Sequence, residues 1–572
     1  MVLVNGPDGL GRWVPGVALL RRRPRVALRR DVVAGVVLAA LLVPQGMAYA
    51  ELAGLPPVTG LYATLVPLLV YFLLGPSRIL VLGPDSAVSP LVAAAVVPLA
   101  ASGDSSARIA LAGLLAILVG ALMLAGGLTR FGFVTELLSM PVRVGYLMGI
   151  AVTVIVAQLP KLFGFSVKSE SLIPALRGFV AGLDQTNATA LAIGVGSLVL
   201  ILGLRWAAPR VPAVFLAVVG ATAVVSIFGL ADQVPVVGTV PAGLPAFAAP
   251  HVSFQEFKTL IPAAAGVAFV AFTDTSVLSR SYAARLSQEV DQNQELAVLG
   301  VANIATGFFQ GFPISTSSSR TAVVEDVGAR SQVAGLVGAT VLALLLIVGT
   351  GLVRDLPLSS LAAVVVVAVL GLIDVAAARR LRQASPPEFM LLMVAFAGVA
   401  VLGVLWGVGI ALALSLLNFI RRAWRPHDAV LGRVDNLKGY HDTQRYPEAR
   451  LIPGLVLYRF DAPLFFANAD YFRGRIRDLA RTAGASWIVV AAEPITDIDA
   501  TAGETVRALK DELDDAGIEL AFAELKDPVR DRLRGYGIHD AIGVHRFFPT
   551  IGVAVSTYLA ETGVHWLDWE DR

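Results

Sequence analysis

Between residues 31 and 421 the chain alternates long apolar runs with short polar turns. The runs fall at 31–53, 58–75, 86–100, 107–127, 136–159, 187–206, 211–229, 257–279, 292–310, 317–328, 332–353, 357–375, 386–403 and 404–421. Most approach the ~20 apolar residues a helix needs to cross a bilayer core. The pattern predicts a polytopic α-helical membrane protein of about fourteen spans. Two runs stand apart because polar residues open them: "GPDSAVSP" at 83–90 and "GFPISTSSSR" at 311–320. Each begins with glycine and proline within three residues and then supplies hydroxyls as an apolar helix starts, Ser86 and Ser89 in one and Ser315 to Ser319 in the other.

Beyond residue 421 the period shortens. "GLVLYRF" (454–460), "SWIVVAA" (486–492) and "IELAFAEL" (518–525) read as strands, with helices expected from about Ala469 to Arg481, near Thr501 and after Asp527. Thr501 and Glu504 have the spacing of a capping box. Strands alternating with helices predict a small α/β domain. The chain thus divides into a basic segment (1–30), a membrane body (31–421) and a soluble domain (428–572).

Composition agrees with this division. Hydrophobic residues make up 56% and charged residues 15% of the 572, and mean hydropathy is +0.73, values of a membrane protein. The net charge of +2 matters less than its placement. Arg12, Arg21–Arg23, Arg25, Arg29 and Arg30 face one acid, Asp8, in the first segment; Arg421, Arg422 and Arg425 follow the last apolar run. Positive charge stays on the cytoplasmic side, so both ends are expected there, which requires an even number of spans. The basic lead is too long and too arginine-dense for a signal peptide, and no small-residue cleavage site follows it.

Several classes of chemistry are not expected. Cysteine is absent and five of the six histidines lie at or beyond His427, so neither a thiol nor a histidine-cluster metal site is predicted. The α/β domain lacks a G-x-x-x-x-G-K-[ST] loop and a G-x-G-x-x-G turn. The expectation is a protein that is not an enzyme, with no cofactor, no metal, no catalytic residue and no nucleic-acid partner.

The two interrupted runs carry the candidate chemistry. Such segments in corresponding places of two chain halves are the sequence trace of an inverted-repeat transporter. Non-helical backbone at membrane depth is tolerated only where it is buried in protein or lines a cavity. A helix beginning there aims free N–H groups and partial positive charge at whatever lies in front of it. Two such ends would form an anion site, with serine hydroxyls as further donors. Arg320 adds a full charge, at an insertion cost of at least ~2.5–3.5 kcal/mol if it lies at the bilayer centre; the alternative is an ordinary solvated loop. Gln45 and Tyr49 share one helix face at i and i+4, either towards the site or within bundle packing. Asp274 stands inside an apolar run, a functional candidate by default; structural pairing with Arg320 or Arg280 is the alternative. Glu51 and Asp85, close to Gly-Pro turns, are weaker candidates.

With those residues in view, the chain resembles the SulP family of anion permeases from about Arg29 to its C-terminus. "LVPQGMAYAELAGLPPVTGLYATLVP" (42–67), "GPDSAVSPL" (83–91) and "GFPISTSSSRTAV" (311–323) carry the resemblance, and the tail looks like a STAS domain. The resemblance implies a seven-plus-seven inverted repeat of core and gate bundles followed by a cytoplasmic STAS domain, and a homodimer. It also implies that Gln45, Tyr49, Ser86, Ala87, Asp274, Ser318, Ser319 and Arg320 surround the substrate. Two departures matter. Leu278 stands four positions after Asp274, where sodium-coupled bicarbonate members carry a hydroxyl, which weakens a sodium site. "DIDATAG" (497–503) has Ala500 where anti-sigma antagonists carry a phosphorylatable serine.

The function expected is secondary active uptake of a small oxyanion into the cell, sulfate first, by an elevator-like movement in the cell membrane. Protons are the expected coupling ion, carried by Asp274, since no histidine lies at membrane depth. Bicarbonate or a C4-dicarboxylate as substrate, a passive anion channel, and a sensor signalling through the STAS domain stand as alternatives. The domain's cytoplasmic partner is not indicated.

Overall fold

The computed structural model describes residues 25–100, 104–132, 139–167, 172–208, 211–286, 289–482 and 484–571. Most of the basic segment, residues 1–24, and the start of the expected run 136–159 therefore lie outside the described residues. The chain forms two compact units, Met1–Leu416 and Leu417–Arg572.

In the first unit the helices run α1 (Arg25–Leu52), α2 (Pro57–Leu74), α3 (Ser89–Val96), α4 (Ser105–Leu128), α5 (Met140–Leu162), α6 (Leu172–Ala181), α7 (Ala188–Ala207), α8 (Ala213–Ile227) and α9 (Phe254–Arg285). They continue as α10 (Gln292–Phe308), α11 (Ser318–Asp326), α12 (Val333–Val348), α13 (Leu358–Leu370), α14 (Val375–Ala384), α15 (Pro386–Leu402) and α16 (Val404–Trp424), whose residues from Leu417 onward fall in the second unit. Each apolar run holds one helix. Eight helical stretches among the described residues are long and apolar enough to cross a membrane, with α13 and α14 counted together as Leu358–Ala384. Two helices, α6 and α14, were not expected. At ten residues each they extend about 15 Å, too short to span by themselves, and α14 carries Arg379, Arg380, Arg382 and Gln383. An apolar-run criterion overlooks helices of that kind.

Packing sorts the helices into two bundles. In the first, α1 packs on α2 and α12, α4 on α9 and α10, and α3 and α11 lie within. In the second, α5 packs on α13 and α15, with α7 and α8 beside α13. Small residues set the contacts: a Cβ on Gly120 of α4 would stand 2.5 Å from the Gly300 carbonyl of α10. Without a hydrophobic drive between helices in lipid, such close backbone approach is how they associate.

The second unit is a six-stranded sheet, β4-β3-β5-β6-β7-β8, after two two-residue strands in the first unit, β1 (Leu82–Gly83) and β2 (Ser315–Thr316). Its strands are β3 (Asp428–Arg433), β4 (Tyr440–Asp442), β5 (Leu455–Phe460), β6 (Trp487–Ala491), β7 (Glu519–Ala523) and β8 (Phe547–Phe548). β5 to β8 are parallel, and β3 is antiparallel to both β4 and β5. Helices α17 (Ala469–Thr482), α18 (Ala500–Asp515), α19 (Asp527–Gly535), α20 (Ile538–Ile542) and α21 (Ile551–Thr562) complete it. Strand side chains alternate between faces: Tyr458, Val490 and Phe522 join one core, while Leu457, Val489 and Tyr558 of α21 join the other. The expected capping box does not form. Asp499 caps α18 instead, its Oδ1 accepting from Ala502 N–H at 2.8 Å, because the helix starts at Ala500 and places Thr501 inside its first turn.

Candidate functional site

The two interrupted runs meet. β1 pairs antiparallel with β2, Leu82 opposite Thr316 and Gly83 opposite Ser315. Neighbouring groups satisfy the rest of this extended backbone. Ser317 N–H donates to Val81 O at 3.0 Å and Val81 N–H to Thr321 Oγ1 at 3.1 Å. Asn303 of α10 brackets Ile314, accepting from its N–H at 2.9 Å and donating to its carbonyl at 3.2 Å. Gln332 reaches the Ser77 and Leu80 carbonyls, each at 2.9 Å. Extended chain inside a helical bundle persists only with such pairing.

From the crossing each chain turns into a helix, but the two helix ends differ. Ahead of α3 the Asp85 carboxylate already accepts from Ala87 N–H at 2.9 Å. Ahead of α11 the cap is neutral, Ser317 Oγ accepting from Arg320 N–H at 3.4 Å. The positive end of α11 therefore keeps its field, while that of α3 is partly cancelled by its own aspartate. Ser318 and Ser319 are exposed on the first turn of α11.

Arg320 is fully buried, which removes the solvated-loop alternative. Its Nη2 donates to the Pro84 carbonyl at 2.5 Å, spanning the crossing, whereas Nε and Nη1 have no hydrogen-bond partner among the described residues. An unmet buried donor costs about 1–3 kcal/mol, more when charged. Gly83 makes room: its φ is +149°, and a Cβ there would stand 2.9 Å from Nη1. On α1, Gln45 and Tyr49 are buried. The Gln45 Oε1 lacks a partner among the described residues, and the Tyr49 hydroxyl interacts with Ser86.

Asp274 is half-buried on α9. The next residue, Thr275, accepts a hydrogen bond from the Thr316 hydroxyl of β2 at 3.3 Å, which places Asp274 beside the crossing. Among the described residues its carboxylate has no hydrogen-bond or ion-pair partner, so pairing with Arg320 or Arg280 is not what holds it; Arg280 Nη2 donates to Ser276 Oγ at 3.0 Å. The charged groups that act on Asp274 are Asp85 and Arg143. Glu51 is engaged elsewhere, in an ion pair with Lys161 at 2.7 Å. Asp85 and Arg143 are what sequence reasoning undervalued or missed. Asp85 reads as part of a turn, and Arg143 lies far along the chain in a helix of the other bundle.

A profile of the "Sulfate permease family" matches residues 28–395 and one of the "STAS domain" residues 446–554. A Mycobacterium tuberculosis protein named "Probable sulfate transporter" is 42% identical over 550 residues, 96% of this chain and 98% of its own. "Sulfate transporter 4.1, chloroplastic" of Arabidopsis thaliana is 32% identical over 549 residues, 92% and 80% of the two chains. Murine Solute Carrier 26 family member A9 in the inward-facing state superposes with a TM-score of 0.89 at 24% identity, covering 98% and 96% of the chains; that likeness speaks to the fold. Fold and relatives together define a polytopic membrane transporter of anions with a C-terminal STAS domain. The chain belongs to the sulfate permease family.

Proposed function

We propose that the protein takes up sulfate together with protons. The observation that carries this reading is Arg320: a buried guanidinium with two unmet N–H groups, held over the β1–β2 crossing beside the positive end of α11. That donor set suits an oxyanion. Gln45, Tyr49, Ser86, Ser318 and Ser319 line the remaining approach, and the Ala87 amide contributes only when Asp85 releases it. Asp274 carries the proton, since its carboxylate is beside the site and free of a fixed partner. The residues of α1 to α4 and α9 to α12 move as one body against the second bundle, with both termini cytoplasmic and fourteen spans. The transporter works as a homodimer, and the STAS domain answers to a cytoplasmic partner.

The test is uptake of labelled sulfate into proteoliposomes under an imposed pH gradient or an imposed sodium gradient, with unlabelled bicarbonate and succinate as competitors. Acceleration by the proton gradient alone, with weak competition by both other anions, is the expected result. Stronger competition by bicarbonate or succinate would overturn sulfate as the substrate, and indifference to both gradients would favour a passive channel.

A further inference from the structure

Glu295 stands in the first turn of α10 and is fully buried, with no cation paired to it among the described residues. Three hydroxyls from three other segments converge on its carboxylate. Tyr71 of α2 donates to Oε1 at 2.5 Å, and Ser77 of the α2–β1 connection and Ser279 of α9 each donate to Oε2 at 3.0 Å. The two serine oxygens also lie 3.2 Å apart. α10 packs directly on both α2 and α9, so the carboxylate joins three helices and one connection. Burying a carboxylate is costly unless hydrogen bonds replace its water, and here three do. An ionised carboxylate offers acceptors only, which lets two oxygens take all three hydroxyls at once. A glutamine of the same size would turn an NH2 group towards one or more of them.

Of the three hydroxyls, that of Ser77 leads to the anion site. Ser77 opens the stretch that runs through Leu80 and Val81 into β1. Gln332, at the N-cap of α12, holds the same stretch by its backbone, its Nε2 donating to the Ser77 and Leu80 carbonyls at 2.9 Å each. Ile79, Leu80, Val81 and Leu82 are buried, and Val81 is bonded to Ser317 and Thr321. Two residues past Leu82 comes the Pro84 carbonyl that accepts from Arg320 Nη2. The run from Ser77 to Pro84 is thus fixed at both ends, by Glu295 and Gln332 at one and by Arg320 at the other.

We propose that Glu295 is a positioning residue for sulfate: through the Ser77 hydroxyl it sets the run into β1, and with it the Pro84 carbonyl that orients Arg320. The inference rests on the reading of the β1–β2 crossing as the sulfate site. No bond joins Glu295 to Arg320 among the described residues, so Glu295 acts through Ser77, and removing either partner of that bond has one and the same consequence. A control lies close by. The Ser276 hydroxyl donates to Gln292 Oε1 at 2.7 Å, three residues earlier on each helix, and so fastens α9 to α10 without touching the run into β1.

Initial rates of sulfate uptake into proteoliposomes are measured against sulfate concentration for wild type, Glu295→Gln, Ser77→Ala, the double variant, Ser276→Ala and Arg320→Ala, together with the thermal midpoint of each purified protein. Glu295→Gln and Ser77→Ala each raise KM by about three- to ten-fold and change the maximal rate less. The double variant stays within about two-fold of Glu295→Gln, because both changes break one bond. Ser276→Ala lowers the thermal midpoint and leaves KM at the wild-type value. Unchanged KM in both single variants, while Arg320→Ala has lost affinity, overturns the inference and leaves the sulfate site standing. Wild-type KM in Arg320→Ala overturns both. Effects that multiply in the double variant overturn the path through Ser77, and a rise in KM for Ser276→Ala equal to that for Glu295→Gln reduces Glu295 to a fastener of helices and overturns the inference. If Glu295→Gln does not fold, Ser77→Ala decides: unchanged KM in that variant overturns the inference.

Discussion

At the residue scale, the site depends on one buried charge left incompletely satisfied. Charge-assisted hydrogen bonds contribute about 1.5–3 kcal/mol each, so Arg320→Ala is expected to weaken sulfate binding by roughly 10- to 100-fold or more. Lysine should restore only part of this, because it lacks the planar fork of donors. Wild-type affinity for sulfate in the alanine variant, measured by calorimetry on folded protein, would place Arg320 outside the site. Asp274 responds to the same ligand. A dianion about 6 Å away at an effective dielectric of about 20 disfavours an ionised carboxylate by about 5–6 kcal/mol, before Arg320 offsets part of it. Substrate therefore favours the protonated acid, and by reciprocity the proton favours substrate. Asp274→Asn should bind sulfate at least as well as wild type yet lose acceleration by an inward proton gradient. Accumulation that still follows the gradient in this variant would remove Asp274 from the coupling step.

At the scale of the element, the β1–β2 crossing is what lets two short helices start inside the bundle. Its weakest tolerance is at Gly83, where φ is +149° and a Cβ would stand 2.9 Å from Arg320 Nη1. Gly83→Ala should cost about 1–3 kcal/mol in backbone strain and push the guanidinium away from the Pro84 carbonyl. The expected outcome is loss of sulfate affinity with every donor side chain still present; unchanged affinity would mean that the crossing does not position Arg320. Helix ends show the same dependence on surroundings. Ser253 and Glu256 form a full capping box at the start of α9, whereas Thr501 and Glu504, with the same spacing, do not form one, because Asp499 takes the cap of α18.

At the scale of the whole molecule, anion chemistry and the α/β domain occupy separate compact units. Deleting residues 430–572 should leave a membrane body that binds sulfate, since every candidate residue precedes 321. Loss of binding by a well-folded truncation would contradict that division. The second unit closes on itself through its C-terminal strap. Arg433, 5% exposed, donates to both carboxylate oxygens of Asp568, at 3.0 and 2.8 Å, and pairs with Glu570 at 2.9 Å. Burial pushes the Asp568 carboxyl up, but the hydrogen bonds from Arg433 and from the Glu570 N–H outweigh it and hold it below the usual carboxylate range. A lowered value means that this stabilisation is complete above the ordinary carboxylate pKa of about 3.9 and is lost as pH falls through the lowered value. Hydrogen exchange over residues 563–571 should therefore stay slow at neutral pH and accelerate below about pH 4. In Asp568→Asn the acceleration should be present at pH 7, and protection indistinguishable from wild type there would dismiss the pair as an anchor.

Apolar runs and charge placement by themselves determined fourteen helix windows, an α/β tail and the two interrupted segments, because bilayer burial and strand alternation are written in local composition. They also singled out Arg320, since an arginine amid hydroxyls between apolar runs is costly unless it is used. Tertiary structure alone decided the rest. The pairing of β1 with β2 joins residues more than two hundred positions apart, and no local pattern specifies a two-residue strand. The unequal helix ends depend on which oxygen reaches Ala87 N–H, a matter of side-chain geometry. Arg143 reads as a helix residue near a proline; only the folded arrangement lets its charge act on Asp274, because Coulomb interactions act through space and not along the chain.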